Sequence, residues 1–120
     1  MISNQVAMEI YTFGFKYPDW RKKVKEDCKI VDVREYINDP PPKFKGVKLH
    51  QLSGKDKALR ELIMDCDKAQ RLLTKLEKEI SGNIALGCTS GRHRSVSVAI
   101  ELGKILTAKG YTVTVTHLYI

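Results

Sequence analysis

Cysteine is scarce and scattered in this sequence. Its three cysteines, Cys28, Cys66 and Cys88, are odd in number and form no Cys-x-x-Cys pair. A disulfide framework and a structural zinc site both need cysteines paired at short spacing, so the sequence favours neither. His50 and His117 stand alone along the chain, and we expect no metal and no organic cofactor. Unpaired thiols fit a reducing compartment.

Long apolar runs are missing as well. No stretch approaches the roughly 18 apolar residues of a membrane-spanning helix. The N-terminal residues MISNQVAMEIYTFGF lack the basic start and apolar centre of a secretion signal. Neither membrane insertion nor export is therefore expected, and we predict a cytoplasmic protein. Internal repeats and low-complexity tracts are also absent, and a single domain over residues 1–120 fits a chain of this length.

Positive charge, by contrast, is plentiful. The chain has 21 lysines and arginines against 14 acidic residues, which makes its formal net charge +7. The excess is concentrated in three segments, namely WRKKVKEDCK from Trp20, KFKGVK from Lys43, and residues 92–94. Such a field attracts anions, either phosphorylated metabolites or the phosphates of nucleic acid. Charge alone does not choose between these partners.

Hydrophobic patterning predicts four strands. Alternation and β-branched or aromatic residues indicate a first strand from Val6 that ends at Gly14, and others at residues 29–34, 84–88 and 111–118. Residues 35–53 contain three consecutive prolines and no clear periodicity, which predicts a long loop. Loops of that length in small domains are commonly functional.

Two segments have helical periodicity. Apolar residues at three-four spacing from Leu59 to Ile80 predict a long helix, whose length favours a break near residues 65–67. Its apolar stripe either covers one face of a sheet or packs on a coiled-coil partner. Ser53, with an acidic residue three positions later, is expected to cap the helix start. A second helix is predicted over residues 94–109.

The order of these elements predicts the fold class. Repeated strand-helix units indicate an α/β domain with a mostly parallel sheet of about four strands and helices on both faces. Ligands in such sheets bind beyond the carboxyl ends of the strands. Residues 14–17, 34–39 and 88–94 all follow predicted strands. We therefore expect these three segments to face one cleft.

The segment GCTSGRHRS, residues 87–95, is the turn between the third strand and the second helix. A turn of this kind leaves main-chain N–H groups unpaired at the helix start, where an anion can bind. Gly87 and Gly91 permit backbone conformations closed to other residues, and Arg94 offers a bidentate guanidinium. The glycine spacing does not match a Walker A motif. The candidate ligand-binding residues are Cys88, Thr89, Ser90, Gly91, Arg92, His93, Arg94 and Ser95.

The same segment fits a second pattern, Cys-x5-Arg-Ser, which cysteine-dependent phosphatases use. In that interpretation the thiolate of Cys88 attacks phosphorus while Arg94 holds the equatorial oxygens. In those phosphatases a histidine commonly precedes the cysteine, whereas this chain has Gly87 at that position. The reaction also needs a general acid to protonate the leaving group. The candidate acids are Asp32, Asp39, Asp56 and Asp65.

Six short stretches carry a family resemblance. They are FGFKY from Phe13, DVR from Asp32, NDP from Asn38, SGKD from Ser53, GCTSGRHRSV from Gly87 and GYTVTVTH from Gly110. Together they resemble the C-terminal domain of the RNase adapter protein RapZ family. The stretches occur in the family's order and span nearly the whole chain, which makes the resemblance more specific than any single motif.

The resemblance implies a function as well as a fold. It implies an α/β domain that binds glucosamine-6-phosphate and small regulatory RNAs, and that presents RNA to an endoribonuclease without catalysis of its own. The implied phosphate pocket consists of Cys88, Thr89, Gly91, His93 and Arg94, with Lys16 and Arg34 contributing from neighbouring strand ends. Ser90 and Arg92 replace the glycine and lysine usual in the family. The family's N-terminal nucleotide-binding domain and basic tail have no counterpart here, so we expect a free-standing domain.

These observations predict non-enzymatic binding of a phosphorylated small molecule, either a sugar phosphate or a nucleotide. RNA is a second candidate partner, and a second copy of the chain is a third. Two alternatives stay open. One is the cysteine-dependent phosphatase with Cys88 and Arg94 as catalytic residues, and the other is a purely RNA-binding adapter module that grips backbone phosphate.

Overall fold

The computed structural model describes residues 7–120, so the predicted first position of the first strand, Val6, lies outside the described residues. The four predicted strands and the predicted helices are present, together with two short strands and a short helix. Their bounds are β1 Ala7–Gly14, α1 Trp20–Lys23, β2 Lys29–Asp32, β3 Lys43–Phe44, β4 Val47–Lys48, α2 Lys57–Met64, α3 Asp67–Glu79, β5 Ile84–Cys88, α4 Arg94–Ala108 and β6 Thr112–His117. None of the helices in this part of the chain is long and apolar enough to cross a bilayer.

Four strands form one parallel sheet in the order β2-β5-β1-β6. Gly14 at the end of β1 lies opposite Cys88 at the end of β5, and Asp32 at the end of β2 lies opposite Gly87. The carboxyl ends of three neighbouring strands therefore meet at one edge. This arrangement confirms the predicted α/β fold with a parallel sheet.

The predicted long loop contains regular structure that the sequence did not indicate. β3 and β4 form a small antiparallel hairpin, separate from the main sheet. Lys45 and Gly46 at its tip have positive φ angles of 52° and 79°, as a tight hairpin turn requires. A 3-10 turn at Leu49–Gln51 follows the hairpin and leads the chain back toward α2.

Helices α2, α3 and α4 cover one face of the sheet. α4 lies directly on the strands, where Val98, Leu102 and Leu106 are fully buried. Full burial of a leucine side chain stabilises a fold by roughly 1.5–3 kcal/mol. The buried apolar residues of α2 and α3 join the same core. The stripe between residues 59 and 80 therefore covers the sheet, which is one of the two predicted arrangements.

The predicted break divides that stripe into two helices. Cys66 lies between them in an extended conformation, with φ −155° and ψ 153°. The break turns the two apolar faces relative to each other, so Leu62 is 44% exposed although it fits the continuous pattern. Cys66 also fits the continuous pattern, which favours a buried thiol, but the break leaves this thiol exposed.

The start of α2 is capped by a different residue from the predicted one. The Asp56 carboxylate accepts the N–H of Leu59 at 2.9 Å. The Ser53 hydroxyl accepts the N–H of Lys55 at 3.1 Å, one turn earlier. An N-cap residue directly precedes the first helical residue, and the chain becomes helical only at Lys57. Asp56 is therefore the cap, and Ser53 stabilises the preceding turn.

The opposite face of the sheet carries the short helix α1 and a cluster of aromatic rings. The ring of Phe13 stacks on Trp20 with 4.1 Å between centroids and meets Phe15 edge-on at 4.8 Å. Helices thus lie on both faces, but bulky rings supply much of this second cover. A side chain at Gly87 would overlap the rings of Phe13 and Phe15. Packing, rather than an unusual dihedral angle, explains this glycine.

Candidate functional site

The loop of residues 89–93 joins β5 to α4 at the carboxyl edge of the sheet. The end of β1 continues alongside it. The Phe15 N–H donates to the carbonyl oxygen of Cys88 at 2.9 Å, and the Lys16 N–H donates to that of Thr89 at 3.1 Å. These bonds hold the base of the loop against the β1 end, as expected for residues that follow neighbouring strands.

Two glycines let the loop pass closely over the end of β1. Gly91 has a φ of +73°, and a Cβ atom there would lie 2.6 Å from the carbonyl carbon of Phe13. A Cβ atom on Gly14 would lie 2.6 Å from the carbonyl carbon of Ser90. Sequence patterning predicted a structural need for Gly91 but marked Gly14 only as a strand end.

The main-chain N–H groups of residues 89–95 have no acceptor among the residues that the structure describes. Within residues 7–120, none of them donates a hydrogen bond to another residue, and the first N–H of the helical segment with a partner is that of Ser97, which donates to the carbonyl of His93 at 3.0 Å. Unpaired N–H groups at a helix start carry the positive end of the helix dipole. The loop thus presents a row of donors suited to an anion.

Arg94 begins α4, and its guanidinium is already in contact with protein groups. Nη1 donates to the carbonyl oxygen of Ile37 at 3.0 Å, and Nη2 lies 2.6 Å from a carboxylate oxygen of Asp39. Nη2 also lies 3.5 Å from the hydroxyl oxygen of Thr89. The structure therefore brings Arg94 to the loop, together with residues 37–39 that follow β2.

Arg92 and His93 hold the turn at residues 49–52. His93 Nε2 is 2.8 Å from the carbonyl oxygen of Leu49 and 2.9 Å from that of Leu52. Carbonyl oxygens only accept, so this nitrogen carries the hydrogen. Arg92 Nη2 donates to two carbonyl oxygens of the same turn at 3.2 Å. The buried Nε of Arg92 has no hydrogen-bond partner within the described chain.

Cys88 and Ser95 face each other beneath the loop. The Cys88 thiol donates to the Ser95 hydroxyl at 3.2 Å, and both residues are buried. The remaining hydroxyl residues are more accessible, since Thr89 is exposed and Ser90 half-buried. Thr89 and Ser90 are therefore the hydroxyl residues that an external ligand can reach without rearrangement of the core.

Arg34 and Lys16 extend the positive charge from the neighbouring strand ends. Arg34 donates two hydrogen bonds of 2.9 Å to the Asp32 carboxylate, which hold the pKa of that carboxyl group below its usual range. The Arg34 guanidinium lies 4.3 Å from the ring centroid of Phe15. Lys16 is exposed, with its ammonium 5.2 Å from the centroid of the Tyr17 ring. Arg34 thus forms the ion pair that its spacing from Asp32 permits, and Lys16 reaches solvent.

The three strand-end segments therefore meet at the carboxyl edge of the sheet, as predicted. A groove of about 760 Å³ lies elsewhere, beside α2 and α4, and none of residues 88–95 lines it. Across residues 7–120, no three side chains among His, Cys, Asp and Glu are placed to hold a metal ion. What this edge of the sheet offers is hydrogen-bond donors and positive charge.

Several known proteins are similar to this chain in amino-acid sequence. A protein from Clostridium botulinum is 34% identical over 130 aligned residues, which cover 97% of this chain and 41% of that protein. Relatives from Bifidobacterium adolescentis and Desulforamulus reducens are 32% and 31% identical, covering 92% and 96% of this chain. All three are named "Nucleotide-binding protein". This chain spans about two fifths of their length.

A sequence profile that represents a whole domain family also matches the chain. The match covers residues 6–120, and the description of the profile is "RapZ C-terminal domain". Every residue that builds the sheet, its helices and the donor-rich loop falls within that match. The chain therefore belongs to the family of the RapZ C-terminal domain.

Proposed function

We propose that this domain binds a phosphorylated small molecule, with the phosphate held by the main-chain N–H groups of residues 89–95. The observation that carries the proposal is the row of N–H groups at the start of α4 that have no acceptor in the described part of the chain. A phosphate has several terminal oxygens, so it satisfies many of these donors at once and also gains from the helix dipole. The net charge of +7 attracts such ligands from a distance.

The surrounding side chains have three roles in this proposal. Thr89, Ser90 and Lys16 are accessible and offer direct contacts to the phosphate. Arg92 and His93 act by position, because they anchor residues 49–52 and so hold the loop in shape. Arg34 adds positive charge beside the strand ends, reduced by its pairing with an aspartate.

The organic part of the ligand belongs to one of two classes. A nucleotide is supported by the name of the relatives, and a sugar phosphate by the family resemblance of the loop. The relatives' name describes whole proteins of which this chain covers 37–41%, so both classes belong in a ligand screen.

A reducing cytoplasm is the compartment that fits three free cysteines.

A thermal-shift screen followed by calorimetry tests the proposal. Inorganic phosphate, sugar phosphates and nucleotides are added to wild type, to Arg94→Ala and to Arg71→Ala, which removes the same charge from an exposed position on α3. A ligand at a hundred times its dissociation constant stabilises the fold by about 2.7 kcal/mol. We expect this stabilisation by a phosphate compound in wild type and in Arg71→Ala, but not in Arg94→Ala. Failure of every phosphate compound to stabilise wild type would contradict the proposal.

A cysteine-dependent phosphatase is the second candidate. Two contacts favour it, namely the bond between the Cys88 thiol and Ser95 and the contact of Asp39, one of the four candidate acids, with Arg94. The burial of Cys88 speaks against it, since a nucleophile has to reach phosphorus. Hydrolysis of an aryl phosphate that disappears in Cys88→Ser, with phosphate binding retained, would establish catalysis. Absence of turnover in wild type would leave a binding domain.

RNA contact is supported by a separate surface next to the loop. The rings of Tyr17 and Tyr119 stack with 4.1 Å between centroids, and Lys23 lies 4.9 Å above the Tyr119 ring. Aromatic rings flanked by cations suit unpaired bases and their phosphates. Binding to a structured RNA should weaken with salt, and the salt slope should decrease when Lys22 and Lys23 are replaced by alanine. Salt-independent binding would exclude this role.

A further inference from the structure

The ion pair of Arg94 and Asp39 joins a buried cation to an exposed anion. The Arg94 side chain is 8% exposed and that of Asp39 is 81% exposed, while the two charged groups lie 2.6 Å apart. The other contacts of Arg94, to the Ile37 carbonyl and the Thr89 hydroxyl, are neutral. Asp39 is therefore the one full negative charge that contacts this guanidinium within the described chain.

The unequal burial decides which partner can leave. A buried guanidinium needs a counter-charge, because a charge without one is costly away from water. The Asp39 carboxylate already faces solvent, so water replaces the guanidinium at small cost when Asp39 turns away. Arg94 has no such freedom, since α4 and the Ile37 carbonyl hold it. The pair therefore opens by movement of Asp39.

A phosphate on the loop and the Asp39 carboxylate would compete for the same guanidinium. Nη2 of Arg94 lies beside Thr89, one of the residues whose N–H groups are unpaired. Two anions that contact the same guanidinium nitrogen lie within a few ångströms of each other, so they repel each other. Occupancy by one therefore disfavours occupancy by the other.

We infer that Asp39 is an internal competitor of the ligand, which occupies Arg94 in the free protein and is displaced when phosphate binds. The inference rests on the proposed function, because it requires a phosphate at residues 89–95. Displacement removes a contact between α4 and the segment 37–42, which ends in three prolines. Ligand occupancy is thereby coupled to the freedom of that segment.

The first test compares phosphate affinity in two variants that each remove one negative charge. Asp39→Asn keeps the side-chain size at the site. Glu77→Gln breaks the 3.0 Å ion pair with Lys109 at the far end of α4. Titration calorimetry with inorganic phosphate should show binding about tenfold tighter in Asp39→Asn, because a larger fraction of the protein is competent to bind. Glu77→Gln should match wild type.

The second test takes its main result from the wild-type chain, and Asp39→Asn serves as its control. Hydrogen exchange is followed in a peptide covering residues 35–44, with and without saturating inorganic phosphate. We expect phosphate to accelerate exchange at residues 37–39, because the ligand releases Asp39. In Asp39→Asn, exchange should be fast already and should not rise further.

Each result decides between the inference and its alternatives. Tighter binding in Asp39→Asn than in Glu77→Gln, together with faster exchange on saturation of wild type, supports internal competition. Equal or weaker binding in Asp39→Asn, or exchange that slows or stays constant, overturns the inference and leaves the phosphate site intact. If phosphate binds none of the three proteins, the proposed function fails and this inference fails with it.

Discussion

Replacement of Gly91 by alanine tests how tightly the loop has to pass over β1. An alanine here would lower the stability of the fold in two ways. It would have to adopt a φ of +73°, and its Cβ atom would lie 2.6 Å from the carbonyl carbon of Phe13. The left-handed conformation costs an alanine about 1–2 kcal/mol. Overlap with main chain, which cannot rotate aside, adds about 1–3 kcal/mol. We therefore expect Gly91→Ala to lower the free energy of unfolding by about 2–5 kcal/mol.

Two other glycines separate these penalties. Gly110 has a φ of +98° but open space around a Cβ atom, so Gly110→Ala should cost only about 1–2 kcal/mol. Gly82 has neither a positive φ nor a close neighbour, and Gly82→Ala should change stability by less than about 0.5 kcal/mol. Urea unfolding followed by Trp20 fluorescence measures all three. The reasoning is refuted if Gly91→Ala is no more destabilising than Gly110→Ala.

The same variant tests the site. The clash at Gly91 displaces the main chain that carries the unpaired N–H groups, so folded Gly91→Ala should bind inorganic phosphate much more weakly than wild type. Gly110→Ala, at the other end of α4, should bind phosphate normally. Unchanged phosphate affinity in a folded Gly91→Ala protein would show that the shape of the loop does not determine binding.

Two further predictions concern a buried arginine and a partly buried histidine. Arg60 Nη1 donates a buried hydrogen bond of 2.9 Å to the Gly54 carbonyl oxygen. Arg60→Met removes this donor and should lower the free energy of unfolding, measured by urea denaturation, by about 1–3 kcal/mol. An unchanged free energy would mean that water replaces the donor. Burial holds the pKa of His117 below its usual 6.5 in the folded protein. The unfolded chain therefore binds a proton at a higher pH than the folded protein does. The free energy of unfolding should decrease as the pH falls from about 6.5 toward the pKa of the folded state. His117→Asn should flatten the pH dependence of the unfolding midpoint between about pH 5 and pH 8, and an identical pH profile in both proteins would contradict this origin.

Local patterns predicted most of the secondary structure, because they arise from neighbours along the chain. Alternation located the four main strands, three-four spacing located the long helices, and the length of the longer periodic run indicated the break near residue 66. The same patterns failed where the break changed the direction of a face. Leu62 and Cys66 fit one continuous stripe, but they are exposed, and the chain leaves the helical conformation at Cys66. A periodic pattern does not record such a change of direction.

The amino-acid sequence by itself determined that a donor-rich turn follows β5, because small residues, hydroxyl groups and cations at a helix start are local properties. Only the tertiary structure decided which group each cation contacts. Arg94 bonds to a carbonyl 57 positions away, and His93 bonds to carbonyl groups 44 and 41 positions away. The order of the strands and the path of residues 37–52 create these contacts. No local pattern encodes that path, because it follows from how distant segments pack together.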